Sequence, residues 1–162
     1  MEQEKVFVVR MGVISALGNS PEALWTHLLA GRSGIEKNTF RTFRTVFSGY
    51  NPTGSQLVNT IAAEVKHFDP QDWMIDKKDA RRMDPFSKFA LAAAIQAMEQ
   101  SDMGSIALPG ERTGVFIGTG EGGLTTLEYQ QHIFQTRGAN RVSPLLIPMT
   151  MPNAAAGIIA SR

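Results

Sequence analysis

No cysteine occurs among the 162 residues. Its absence removes a disulfide framework, a thiolate metal site and a cysteine nucleophile together. An excess of one charge is missing too: 16 Lys and Arg face 15 Asp and Glu, a net charge of +1. So small an excess gives no general attraction to nucleic acid or to an anionic membrane surface. No apolar run reaches membrane-spanning length. The opening Met1-Glu-Gln-Glu-Lys5 has the wrong charge and no apolar core for a signal peptide. A cytoplasmic protein is the default expectation. Histidine is scarce: His27, His67 and His132 stand apart with no nucleophile near any of them. Each is expected to be structural or at the surface.

What is present is a packed chain. Hydrophobic residues make up 43% and charged ones only 19%, which excludes a disordered polypeptide. The length suits one domain, 1–162, or a piece of a larger one.

The most pointed stretch runs from Arg112 to Tyr129. Val115-Phe116-Ile117 reads as a short buried strand, Gly118 to Gly123 as a glycine turn, and a helical pattern starts near Leu124. So many glycines in one turn imply that a ligand or another backbone approaches closely. Gly118, Gly120 and Gly123 fit the dinucleotide fingerprint G-x-G-x-x-G. The ribose-binding carboxylate should follow about 20 residues later, yet Gly138-Ala-Asn-Arg141 holds no acid. Glu121 would also set a negative charge in a loop meant for phosphates. Neither NAD nor another cofactor is expected, nor a metal.

Elsewhere the elements follow from local signals. Val6–Val9 and Val13-Ile14 are β-rich. Ser20-Pro21 starts a helix that Gly31 ends, with Ala23, Leu24, Trp25 and Leu28 as its apolar face. Residues 32–59 lack a pattern and are expected to be a loop whose Phe40, Phe43, Phe47 and Tyr50 pin it to the body. Arg41 and Arg44 alternate with those aromatics, but the charge is too slight for nucleic-acid stacking. Ile61–Val65 reads as a strand and Phe68–Asp72 as a turn. Lys77–Arg82 opens a helical stretch with Lys78, Arg81 and Arg82 on one face. With Asp76, Asp79 and Asp84 interspersed, the plain expectation is a solvated helix with local ion pairs. Phe86–Met98 is apolar all round between Phe89 and Ile95, so it should be buried on all sides. Asp102–Glu111 is a turn, and Gly138-Ala-Asn140 breaks the helix that starts near Leu124. Residues 141–157 hold three prolines among apolar residues, which precludes a regular element and suggests the lining of a pocket or interface. Asn153–Arg162 looks helical.

Several of these stretches, in order, resemble one family. Val13-Ile-Ser-Ala-Leu-Gly-Asn19 with Leu28-Leu-Ala-Gly-Arg-Ser-Gly-Ile35 is similar to the N-terminal signature of β-ketoacyl-acyl-carrier-protein synthases. Lys78-Asp-Ala-Arg-Arg-Met-Asp84, Gly118–Leu124, Val142–Pro148 and Pro152–Gly157 follow in the family's order and spacing. The resemblance covers almost the whole chain and is closest to the elongating, type II condensing enzymes.

It implies an α/β, thiolase-like fold, layered α-β-α-β-α, of which this chain would be most of the N-terminal half. The implied reaction is a decarboxylative Claisen condensation of acyl and malonyl thioesters, in fatty-acid or polyketide synthesis, by a cytoplasmic homodimer. The family's nucleophilic cysteine and catalytic histidines match nothing here, so the chain carries no catalytic residue and is expected to be a fragment, inactive by itself. The alternative is a non-catalytic short homologue that binds acyl carrier protein or a synthase partner. The resemblance further implies that Lys78, Arg81 and Arg82 dock acyl carrier protein and that Leu146 and Ile147 line the acyl pocket. Glu121 stands where relatives carry an apolar gating residue. It either favours short or polar acyl groups, swings out toward a basic partner, or simply faces solvent. Arg10 replaces the family's usual glycine at the end of the first strand. A half-fold of this kind should expose apolar surface and associate.

Overall fold

The computed structural model describes residues 5–37, 61–99 and 110–162. Residues 38–59 of the loop expected over 32–59, with its aromatics, and most of the turn at 102–111, lie outside them.

Six helices occur among the described residues. Helix α1 (Pro21–Leu29) begins where the sequence says it should: Ser20 accepts from the Ala23 N–H at 3.1 Å, and Pro21 fills the first helical position. The Nδ1 of His27 hydrogen-bonds the Leu17 carbonyl oxygen and staples α1 to the turn before it. Its apolar face is only partly covered, with Trp25 and Leu28 exposed. Strand β1 (Ile35–Lys37) pairs antiparallel with β2 (Ile61–Ala63), Ile35 opposite Ala63. The pairing places a strand within a stretch expected to be loop, because the partner it needs lies far along the chain.

A 3-10 turn at Pro70–Trp73 is capped by Asp69, which accepts from Gln71 N–H at 2.9 Å. Helix α2 (Lys77–Ala80) is a single turn capped by Asp76. Helix α3 (Pro85–Glu99) is the centre of the molecule. Leu91 on α3 joins Ile75 and Met83 in the buried core, with Trp73, Ile95, Ile158 and Ile159 packed around it. Phe68 meets Phe89 edge to face, ring centroids 4.9 Å apart.

Contrary to expectation, α3 is not buried on every side. Ser87, Leu91, Ala92 and Gln96 are buried, while Phe89, Ala93 and Ile95 are partly covered. Among the described residues it packs on the helix at Ala154–Ala160 and on the 3-10 turn, and no sheet seals its other side.

The segment before α1 is fixed to α3 rather than built into a sheet. Gln96 accepts from the Val13 N–H at 2.6 Å and donates to the Asn19 carbonyl at 2.8 Å. Gly12 has no room for a side chain, since a Cβ there would lie 1.8 Å from the Ala93 carbonyl oxygen. Val6–Val9 forms no strand, and all four residues are exposed. β-Rich composition alone does not make a strand; the ladder needs a partner, and none of the described residues supplies one.

Helix α4 (Leu124–Arg137) ends at Gly138, as expected. Helices α5 (Leu146–Thr150) and α6 (Ala154–Ala160) follow. α5 corrects the expectation of an irregular segment. Pro148 falls in the first turn, where its missing N–H would have had no intrahelical partner. No helix among the described residues is long and apolar enough to cross a membrane.

Candidate functional site

The glycine loop is held by another backbone. Gly123 N–H donates to the Thr150 carbonyl at 3.1 Å. A Cβ on Gly122 would stand 1.9 Å from that same oxygen, and one on Gly123 would stand 2.4 Å from the Met149 carbonyl oxygen. Both positions therefore require glycine for close approach. Gly118 and Gly120 meet nothing within 4 Å.

Asp84 completes the junction. It is 2% exposed, and its two carboxylate oxygens serve two helix starts. One accepts from Phe86 N–H at 3.1 Å at the head of α3, the other from Thr126 N–H at 2.8 Å in the first turn of α4. Carboxylates suit helix N-termini because the exposed N–H groups and the helix dipole both favour negative charge. Here that carboxylate sits at the helix start where a dinucleotide phosphate would be held, which counts against the fingerprint reading on physical grounds.

Beside the junction lies an open cavity of about 590 Å³. Val115–Thr119 form one wall; Pro152, Asn153 and Ala156 form the other. The lining is mainly apolar, with Thr119 and Asn153 as its polar residues. Thr119 is already engaged, since its Oγ1 donates to the Glu121 carbonyl oxygen. Val115–Ile117 is not the buried strand expected from its composition: it pairs with no described residue, and Phe116 is 94% exposed.

The three residues implied for an acyl pocket do not line this cavity. Glu121 is exposed, Leu146 half-buried and Ile147 exposed on α5. As a group the lining residues are not legible in the sequence, because their two segments are brought together only by the fold. Each segment stands out separately, one as an apolar run and one as a family motif.

The basic cluster occupies α2 and the turn after it, with Lys78, Arg81 and Arg82 all exposed. The expected local ion pairs are not made. Asp76 accepts from Asp79 N–H at 2.7 Å, and that bond, more than nearby Lys78 and Arg162, holds its carboxyl below the ordinary value. Asp79 pairs with Arg162 at 2.5 Å, and Asp84 is buried in the junction. Among the described residues, Lys78, Arg81 and Arg82 have no salt-bridge partner.

Burial holds the Lys88 amine below the usual lysine range, with the Asp84 carboxylate opposing that trend. Burial likewise raises the Glu128 carboxyl. His27 is half-buried, His67 and His132 are exposed, and no two of them meet. No group of three or more metal-ligating side chains gathers among the described residues.

Solved ketosynthases share this fold. The ishigamide ketosynthase/chain length factor aligns with a TM-score of 0.68 and 26% identity, over 94% of this chain and 35% of its own. A ketosynthase solved in complex with its type II PKS acyl-carrier protein aligns at a TM-score of 0.65 and 19% identity, over 94% of this chain and 36% of its own. The fold is thus the thiolase-like one that the sequence implied, although its layers are not complete among the described residues. The sequence profile described as "Beta-ketoacyl synthase, N-terminal domain" matches residues 3–162, and the chain belongs to that family. Among its relatives, the 3-oxoacyl-[acyl-carrier-protein] synthase 2 of Synechocystis sp. is 36% identical over 160 residues, 99% of this chain. This chain spans 36% of that relative's length.

Proposed function

We propose that residues 1–162 are the N-terminal part of a 3-oxoacyl-[acyl-carrier-protein] synthase, and that this part docks the carrier protein and walls the acyl site. The observation that carries the proposal is the basic turn. Lys78, Arg81 and Arg82 are exposed and without salt-bridge partners among the described residues, while every nearby aspartate is committed elsewhere. Unpaired cations on a rigid turn steer an acidic partner and fix its orientation. The relative solved with its acyl-carrier protein shows that a ketosynthase of this fold binds such a partner.

The whole protein acts by decarboxylative Claisen condensation. An acyl group is held as a thioester; loss of CO₂ from a malonyl thioester leaves a carbanion equivalent that attacks the acyl carbonyl carbon and expels the thiolate. Both substrates ride on phosphopantetheine arms of the carrier protein, and the enzyme works as a cytoplasmic homodimer in fatty-acid or polyketide synthesis. This chain has no cysteine to supply the thiolate. Its contribution is placement. Leu146 and Ile147 face the acyl chain near the dimer interface, and Glu121 stands at the gate, where its exposure favours the solvent-facing orientation. The extra length of the relatives, together with exposed Val6–Val9, Phe116 and Ile117, supports further chain packing on this part.

The test is charge reversal at Arg81 and Arg82 in the full-length polypeptide, with carrier-protein affinity measured across a salt series. Affinity should fall roughly tenfold at low salt, and the difference should shrink as salt screens the pair. An unchanged affinity would refute the docking assignment.

A further inference from the structure

Asp84 lies two residues after Arg82 and meets the glycine loop and two helix starts. Its carboxylate joins the start of α3 to the start of α4 through Phe86 N–H and Thr126 N–H. Its Cβ and Cγ also pack on Gly123, where an added Cβ would lie 3.0 Å from each. Gly123 in turn donates to Thr150. Both cavity walls leave from this junction. The Val115–Thr119 wall runs directly into the glycine loop, and the Pro152–Ala156 wall starts just past Thr150.

We infer that Asp84 is a positioning residue: it sets the glycine loop, and with it the separation of the two cavity walls, relative to the basic turn. The physical basis is that one buried carboxylate accepts from two helix starts at once. Neither start can shift without losing a charge-assisted hydrogen bond inside a buried site. Gly122 and Gly123 then transmit that placement to the Met149–Thr150 backbone, because their contacts leave no slack for a side chain. That this placement bears on the acyl group rests on the function proposed above, which sets Leu146 and Ile147, on the helix that ends at Thr150, against the acyl chain; the positioning itself does not.

Two substitutions in the full-length polypeptide separate the parts. Asp84→Asn is nearly isosteric but turns one acceptor oxygen into a donor, so it cannot serve both N–H groups. Gly122→Ala leaves Asp84 intact and unseats the loop from Thr150. Site-resolved amide exchange is measured on both, together with the ratio of kcat/KM for a short and a long acyl group. That ratio is independent of the fraction folded.

In Asp84→Asn, exchange at Thr126 and Gly123 should quicken roughly 10- to 100-fold, while the amides of Leu91–Ile95 in α3 keep their protection. Both variants should shift the acyl-length ratio in the same direction. Unchanged exchange at Thr126, or an equal loss of protection throughout α3, would overturn the positioning role. Faster local exchange with an unaltered ratio would overturn its bearing on acyl selection. Absence of condensing activity in the unsubstituted protein would count against the proposed function, and the exchange result would still decide the role of Asp84.

Discussion

Asp79 and Arg162 are 83 residues apart in sequence, and their side chains meet at 2.5 Å. The pair ties the end of the chain, just past α6, to the basic turn of α2. It also withdraws from Arg82 the acid three residues before it.

Removing the arginine should therefore matter more for binding than for folding. Both side chains are partly exposed, so Arg162→Ala should cost no more than about 1 kcal/mol of stability. The freed Asp79 carboxylate would then lie among the three cations and weaken a salt-sensitive association with an acidic partner. Carrier-protein affinity at low salt should fall a few-fold while the denaturation midpoint barely moves. A large stability loss with intact affinity would show the pair to be structural instead.

Gln96 presents the opposite case, a buried group whose loss should be costly. Its amide is satisfied at both ends, by Val13 N–H and by the Asn19 carbonyl. Gln96→Ala leaves both backbone groups unpaired and should destabilise the fold by roughly 2–4 kcal/mol. Gln96→Glu keeps the acceptor for Val13 but turns a carboxylate oxygen toward the Asn19 carbonyl, so it should not rescue. Urea denaturation of the three proteins checks the order.

The boundary between what was legible and what was not follows the range of the cause. The start of α1 was readable because Ser20 and Pro21 act within one turn, and the end of α4 because Gly138 does. The basic triplet was readable from its spacing. Its lack of salt-bridge partners among the described residues was not, since that depends on Arg162 and on a junction with Thr126, distant in sequence. Gly122 and Gly123 announced a close approach without naming what approached. Val6–Val9 and Val115–Ile117 have the composition of strands, but a ladder requires a second strand that no local pattern can supply. The cavity joins two segments whose meeting depends on Thr150 reaching the glycine loop.

Where the cause is local, a substitution should act locally. Ser20→Ala removes the acceptor for Ala23 N–H at the head of α1. The expected loss is about 1 kcal/mol, and Ser20→Asp should recover most of it because a carboxylate also caps and favours the helix dipole. Thermal denaturation of both variants tests the cap; equal losses in the two would mean that the hydroxyl is not acting as one.

Glu128 supplies a prediction in pH. Its Oε1 is buried without a hydrogen-bond partner among the described residues, and desolvation raises its carboxyl above the ordinary value of 4.5. A carboxyl raised in the folded state binds its proton more tightly there than in the unfolded chain. Its favourable contribution is therefore complete below the unfolded value and is lost as pH rises through the folded one. At neutral pH the ionised form is a net cost, so Glu128→Gln should stabilise the protein. Water on the exposed side of the residue limits that gain to under about 1 kcal/mol. At pH 4 the two proteins should be closer in stability, because the carboxyl is then largely protonated in the fold. Denaturation measured from pH 4 to pH 8 decides the point. A gain that stays constant across that range would trace to packing of the amide and not to the buried charge.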